Sequence, residues 1–400
     1  MKNLFKLPLY AAIAFGMTLT SCSDDDSTPT NPSGGIINDQ NEIVKDINED
    51  ITLMAGETYF INKGIHVTSD AKLTIEKGVT VRNGESSYLL VETGSQIFIN
   101  GEAGEEVVFT VNTQTPQPGA WGGLIINGKA PINVSGGSAI AEVGDVAYGG
   151  DNASDNSGSI SYAVFKYGGA QINSEKEHNG VTFNGVGSAT TIDHIAVYNA
   201  SDDAYEWFGG TVNASNLFAY GTQDDIYDWT YGWVGTATNV YGEHNAAINN
   251  GENDRGIEAD TNSSNFAATP FSNPTIENIT LKDADQVGTS GLKLRNGTSF
   301  NFENLVIEGF GRDNKSTIEV ETAETVGYII NGDASIASWN FIPAAGQDAY
   351  SLKVKDATEA EEATIGTFFS SAMDAAATGA PEALVTWGKS VAVADNLPEN

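Results

Sequence analysis

The chain has 400 residues, with 53 Asp and Glu against 19 Lys and Arg, for a formal net charge of −34. So acidic a surface argues against nucleic acid as a partner, because phosphate binding needs clustered basic charge, and it suits divalent cations or cationic ligands. A 40% hydrophobic content suffices for a large core, and the single cysteine, Cys22, excludes disulfides and thiolate zinc sites within the chain.

At the N-terminus, Lys2 and Lys6 precede a short apolar run over residues 7–20 that ends in small residues and is too short to span a membrane stably. Its end, Leu19-Thr20-Ser21-Cys22, resembles the lipobox of bacterial lipoproteins. That resemblance implies a signal peptide over residues 1–21, cleavage before Cys22, and attachment of fatty acyl chains such as palmitate to Cys22. Ser23-Asp24-Asp25-Asp26 resembles the surface-export signal of Bacteroidota lipoproteins, which implies an outer-membrane, lipid-anchored address at the cell surface. Residues 22–42, rich in Ser, Thr, Pro, Asn, Gly and Asp, bury too little apolar surface to fold and read as a flexible linker.

From Ile43 the chain shows many short β-rich runs, among them Lys72-Leu73-Thr74-Ile75, Tyr88-Leu89-Leu90-Val91, Gln96-Ile97-Phe98-Ile99, Val107-Val108-Phe109-Thr110 and Leu124-Ile125-Ile126. Gly, Asn and Asp separate them, and helical periodicity is nearly absent before about residue 356. An internal repeat separates a solenoid from a sandwich. Ser201-Asp202-Asp203-Ala204-Tyr205-Glu206-Trp207 matches Gln223-Asp224-Asp225-Ile226-Tyr227-Asp228-Trp229 at a constant offset, which also pairs Ile195 with Leu217, Val197 with Ala219 and Gly210 with Gly232. Thr275-Ile276-Glu277-Asn278-Ile279-Thr280-Leu281 echoes Asn301-Phe302-Glu303-Asn304-Leu305-Val306-Ile307 at a slightly longer one. A unit of about 22 residues holding three short strands is one coil of a parallel β-helix. The expectation is therefore an all-β, right-handed parallel β-helix over residues 43–345, with a loop insertion at about 242–274. Residues 346–400 are expected to form a partly helical cap, with the best helical candidate at 356–379.

The segments Trp121-Gly122-Gly123-Leu124-Ile125-Ile126-Asn127-Gly128, Asp202-Asp203 through Val212, Asp224 through Trp233, and Gly256-Ile257-Glu258 resemble a family of β-helix lipoproteins and secreted proteins of Bacteroidota and some marine Gram-negatives. The resemblance covers most of residues 70–330 and implies a fold and an address, without a settled activity.

Coils of a β-helix stack at ~4.8 Å, so the repeat places Asp202 over Asp224, Asp203 over Asp225 and Glu206 over Asp228. Like charges that close repel unless a cation lies between them or one takes up a proton. With Glu258 these acids are candidate Ca²⁺ ligands; the alternative is that they sit at turns and accept backbone N–H groups. Strand alternation sets Asp203, Tyr205 and Trp207, with Asp225, Tyr227 and Trp229, on one side, and Asp202, Ala204, Glu206 and Phe208, with Asp224, Ile226, Asp228 and Thr230, on the other. Facing outward, Tyr205, Trp207, Tyr227, Trp229 and Trp233 would form a ladder for sugar rings; facing inward, they are core.

Gln223-Asp224-Asp225 and Leu292-Lys293-Leu294-Arg295 faintly resemble two motifs of polygalacturonase-like enzymes, although the Gly-His-Gly of that family is missing. In a hydrolase the acid and base would come from Asp202, Asp224 and Asp225; in a pectate-lyase-like enzyme Arg255 or Arg295 would lie beside a metal-bound uronate. His66, His178, His194 and His244 lack metal-ligand spacing, and residues 151–158 form a weak Ca²⁺-loop candidate for which a plain turn is the alternative. Three functions follow: binding of a glycan or cation-bridged polymer on one face, polysaccharide lysis or hydrolysis by the stacked acids, and an adhesin or accessory role beside an outer-membrane uptake receptor.

Overall fold

Each coil carries apolar residues at alternate positions of short strands, and stacking coil on coil in parallel buries every inward position against the next. In a computed structural model, which describes residues 35–173, 176–248, 254–283, 286–311 and 315–392, this arrangement is a right-handed parallel β-helix. The expected signal peptide over residues 1–21 and the expected lipidation site Cys22 lie outside the described residues. Residues 33–400 form one compact unit.

A ten-stranded parallel sheet makes one wall, running from Gly64–Val67 through Tyr88–Val91, Leu124–Asn127, Val181–Asn184, Tyr205–Phe208, Tyr227–Thr230 and Ile257–Ala259 to Leu352–Val354. A fourteen-stranded sheet wraps the remaining sides. In the early coils it consists of two separate ladders, one through Gln96–Asn100 and one through Val107–Val111, and both join Gly158–Lys166. From there through Asn301–Glu308 each coil uses one eight- or nine-residue strand bent at a single left-handed residue: Tyr162, His194, Asn216, Asn239, Asn278 and Asn304, all with φ between 49° and 59°. Asn tolerates this conformation, and its amide links coil to coil. Asn216 donates to Asp193 Oδ1 (2.7 Å), Asn239 to Asn216 (3.0 Å), Asn278 to Asn239 (3.1 Å) and Asn304 to Asn278 (2.9 Å).

The repeat register is the one read from the sequence. Tyr205 pairs with Tyr227, Glu206 with Asp228 and Trp207 with Trp229; Ile195 pairs with Leu217, and Thr275 to Leu281 pair with Asn301 to Ile307. Interior columns result, such as Leu124, Val181, Tyr205, Tyr227, Ile257, Leu292 and Ile318.

Several boundaries differ from expectation. Ile36 and Ile37 are already buried, and Ile37 bridges Ile43, so packing starts inside the segment assigned to the linker. Ile257–Ala259 forms a rung of the ten-stranded sheet in the middle of the expected 242–274 loop, and Thr236–Glu243 overlaps its start; three apolar-flanked residues are too few to stand out among Asn and Gly. Coil strands continue to Val354, past the expected end at 345. Among the described residues there are three helices, the first lying before the last coil strands and the other two in the tail. Helix α1 is Ala323–Asn331, α2 is Glu359–Ser371, within the expected helical stretch, and α3 is Glu382–Val391. A capping box of Thr358 and Glu361 starts α2, which buries Ile365 and Phe369 against the last coil, where Trp339 Nε1 donates to the Phe369 carbonyl (2.7 Å). Helix α3 turns back along the flank over Tyr198, Phe218 and Tyr241. Its Gly388 rests on the Phe218 ring so closely that a Cβ there would lie 2.1 Å from it.

Candidate functional site: an acidic cleft on the ten-stranded wall

The outward positions of the wall form a column of paired neighbours, Thr182, Glu206, Asp228, Glu258, Lys293, Glu319 and Lys353. At its C-terminal end acid and base alternate from rung to rung, and Lys353 lies 3.9 Å from Glu319. At Glu206, Asp228 and Glu258 three carboxylates stack with no lysine between them. The turns entering the same strands add Asp202, Asp203, Asp224 and Asp225, and the resulting cleft of ≈ 530 Å³ also receives Glu142, Glu177, Arg255 and Arg295. All seven acids expected as metal ligands and all five residues considered for a catalytic role, Asp202, Asp224, Asp225, Arg255 and Arg295, thus line one cleft.

Turn chemistry accounts for part of this cluster. Asp225 N–H donates to Asp203 Oδ1 (3.0 Å) and Arg255 N–H to Asp225 Oδ1 (2.8 Å), so each carboxylate holds the entrance of the next coil. The Arg255 guanidinium pairs with Glu258 (2.8 Å) and more loosely with Asp225 (3.4 Å). Arg295 pairs with Glu258 and, at 2.7 Å, with Asp260. Asn179 donates to Glu206 (2.6 Å). These bonds leave buried oxygens Asp224 Oδ1 and Asp228 Oδ1 without a partner among the described residues.

Carboxylate oxygens gather into three groups, Asp202 with Asp203 and Asp224, Asp203 with Glu206 and Asp228, and Asp225 with Asp228 and Glu258, each within 4.8 Å. Such all-oxygen cages match the donor preference of a hard divalent cation. Burial first, and repulsion between neighbours second, pushes Asp202, Asp203, Asp225 and Asp228 well above the usual carboxylate range. Glu206 shifts the same way through burial and the charge of Glu142, against the Asn179 bond. Burial raises Asp224 to about 6 even though Arg255 opposes the shift.

The aromatic ladder expected as a ligand surface faces inward. Tyr205, Trp207, Tyr227, Trp229 and Trp233 are each at most 2% exposed. Tyr205 and Tyr227 stack at 5.4 Å and Trp207 and Trp233 at 4.4 Å inside the coil. Four of the five polar tips are spent internally, as where Tyr227 donates to the Tyr241 carbonyl (2.8 Å) and Trp229 Nε1 to Thr298 Oγ1 (3.0 Å), while buried Trp207 Nε1 has no partner among the described residues. These rings belong to the main hydrophobic core, where their large apolar area is best used. The two-face division also stops at the turn: Ala204 and Ile226 pack into the same core as Tyr205 and Tyr227, because the strands begin only at Tyr205 and Tyr227.

Glu142 and Glu177 fall outside the repeat and left no sequence signal. Glu142 comes from an excursion whose hairpin pairs Ala139–Ile140 with Ala147–Tyr148 over the wall, packing Val143 and Val146 near Leu90 and Ile125. Asn133 ties this excursion to the one after Ala259, donating to the carbonyls of Thr261 (3.0 Å) and Pro270 (2.9 Å) and accepting from Asn262 (3.1 Å). The histidines sit apart from the cleft lining: His66 bonds Glu92 (2.8 Å), His194 bonds Asp193 (2.7 Å), and burial lowers His178 and His244 to about 4. Residues 151–158 form turns in which Asp155 accepts Lys129 N–H (3.0 Å) and Asn156 accepts Gly158 N–H (2.8 Å), the alternative weighed for that loop.

Among known families, the one described as a pectate-lyase-like β-helix domain matches residues 45–392. No curated protein matches the chain. Among solved structures, the Dettilon tailspike protein is similar over 76% of this chain, at 10% identity and a TM-score of 0.26, and the chain spans 62% of the tailspike's length.

Proposed function

The chain belongs to the pectate-lyase-like β-helix family, and from that premise we propose that its acidic cleft binds divalent cations, Ca²⁺ foremost, and through them a glycan or other cation-bridged polymer. The observation that carries this reading is the unbroken stack Glu206, Asp228 and Glu258, flanked by Asp202, Asp203, Asp224 and Asp225, on a wall whose later rungs alternate acid with lysine. Cations between these rungs would do for the acids what lysines do farther along. They would also supply the positive charge that an acidic polymer needs in so negative a protein. The resemblance of Leu19 to Cys22 to a lipobox supports a lipid anchor at Cys22 and display at the cell surface, beside a receptor or within reach of polymer.

The experiment is calorimetric titration of Ca²⁺ into chelator-treated protein, repeated for Asp224→Asn/Asp225→Asn. Saturable binding that the double variant loses supports the cation site; absent binding, or binding indifferent to the substitutions, removes it. A second reading, elimination or hydrolysis in the same cleft, is favoured by Asp224, whose pKa of about 6 suits a proton donor near neutrality. It requires new reducing ends or unsaturated uronate from an acidic polysaccharide, abolished by Asp224→Asn.

A further inference from the structure

The inward rings of the repeat are core, yet an aromatic surface does adjoin the acids, built from Phe208 and Tyr231 at the ends of the repeat strands and Tyr148 of the excursion hairpin. Residues two apart on a strand share a face at ~7 Å, and Phe208 follows Glu206 by two. The Phe208 ring lies 5.8 Å from Tyr231 and 6.5 Å from Tyr148. Phe208 and Tyr148 are buried and form a backing, whereas Tyr231 packs against them only partly covered. Tyr148 ends the hairpin that carries Glu142 into the cleft, so one excursion supplies both an acid and part of the aromatic backing.

Tyr231 is held where it is. Its backbone is left-handed (φ 52°), a conformation that a bulky side chain adopts only when its surroundings impose it. Asn133 N–H clasps its carbonyl at 3.0 Å, which links the ring's position to the Asn133 node joining both excursions. Burial, then the charges of Glu142 and Glu206, raises its hydroxyl, so it remains a neutral donor across the physiological range.

We infer that Tyr231, backed by Phe208 and Tyr148, is a platform for the face of a sugar ring beside the acid row. The ligand of the cleft is then a glycan lying along the strands, its anionic or vicinal oxygens toward the cations and one ring on Tyr231. This rests on the cation-dependent glycan reading above, and the test separates the two. Wild type, Tyr231→Phe and Tyr231→Asn, the last chosen because Asn tolerates left-handed backbone, are applied with and without Ca²⁺ to an array of uronic-acid and neutral oligosaccharides. Each is also titrated with Ca²⁺ alone.

The expected result is Ca²⁺-dependent glycan binding by the wild type, retained in Tyr231→Phe and about tenfold or more weaker in Tyr231→Asn, with Ca²⁺ affinity unchanged in all three. Equal glycan binding by Tyr231→Asn overturns the platform and leaves the cation reading standing. A wild type that binds no glycan on the array overturns both. Should Tyr231→Asn fail to fold, nitration of the wild-type tyrosines decides: the glycan bound with Ca²⁺ must protect Tyr231, and unchanged nitration of that residue overturns the platform.

Discussion

At the residue scale the cleft is a set of acids whose charge the fold suppresses. Asp224 rises to about 6, and its neighbours shift the same way through burial and mutual repulsion. A carboxyl whose folded pKa lies above its unfolded value stabilises the fold fully below the unfolded value and loses that contribution as pH climbs through the folded one. The cation-free protein should therefore melt at falling temperature between about pH 4 and 7, and Ca²⁺ should restore the loss, as scanning calorimetry in chelator and in Ca²⁺ would show. Ca²⁺ affinity should rise over the same interval, because protons and cations compete for the same oxygens. Asp228→Asn removes one member of the stack, so it should raise the melting temperature of the cation-free protein at about pH 8 while weakening Ca²⁺ binding. Trp207→Ala acts differently: this ring is core, so the substitution should cost about 3–5 kcal/mol in denaturant unfolding, and any ligand defect would be secondary to that loss.

At the element scale the asparagine corner replaces two separate ladders by single bent strands. Asn239 sits mid-ladder, donating to Asn216 and accepting from Asn278, with φ 59°. Asn239→Ala loses both bonds and places a Cβ-bearing residue without a compensating amide in left-handed backbone, so about 1–3 kcal/mol of stability should go, as urea unfolding would measure. Asn239→Gly should lose less, because glycine adopts the conformation freely and forfeits only the bonds. The corner was present in the sequence as Asn216, Asn239, Asn278 and Asn304. It was not legible there, because nothing local distinguishes an asparagine in a bent strand from one in an ordinary turn.

At the scale of the whole body the tail does more than close an end. Thr378 and Gly379 N–H groups cap the asparagine ladder at Asn304 Oδ1 (2.7 and 3.1 Å), and α3 then covers Tyr198, Phe218 and Tyr241. Trp387 adds an edge-on contact with Tyr162 and a bond from Nε1 to Glu106 (3.1 Å). A ten-residue helix is too short to persist alone, so its stability comes from this docking. Truncation after Asp374 should expose the aromatic stripe, raise binding of a hydrophobic dye and lower the melting temperature, with Ca²⁺ titration of the distant cleft unchanged.

By itself the sequence determined the solenoid, the coil register through residues 201–229 and the gathering of acids on successive coils, because two adjacent coils without insertions repeat at one constant offset. It also determined the composition of the carboxylate clusters, since parallel stacking puts equivalent residues side by side whatever else the chain does. Only the tertiary structure decided which face those residues present. A period of two divides a strand into two sides without saying which is inward, and the rings of Trp207 and Trp229 resolved it by filling the coil. Glu142 reaches the cleft through an excursion that no repeat encodes, and Ile257–Ala259 is a strand because it pairs with Tyr227–Trp229 on one side and Leu292–Leu294 on the other. In each case the deciding contacts join residues far apart in the chain, where no local pattern can record them.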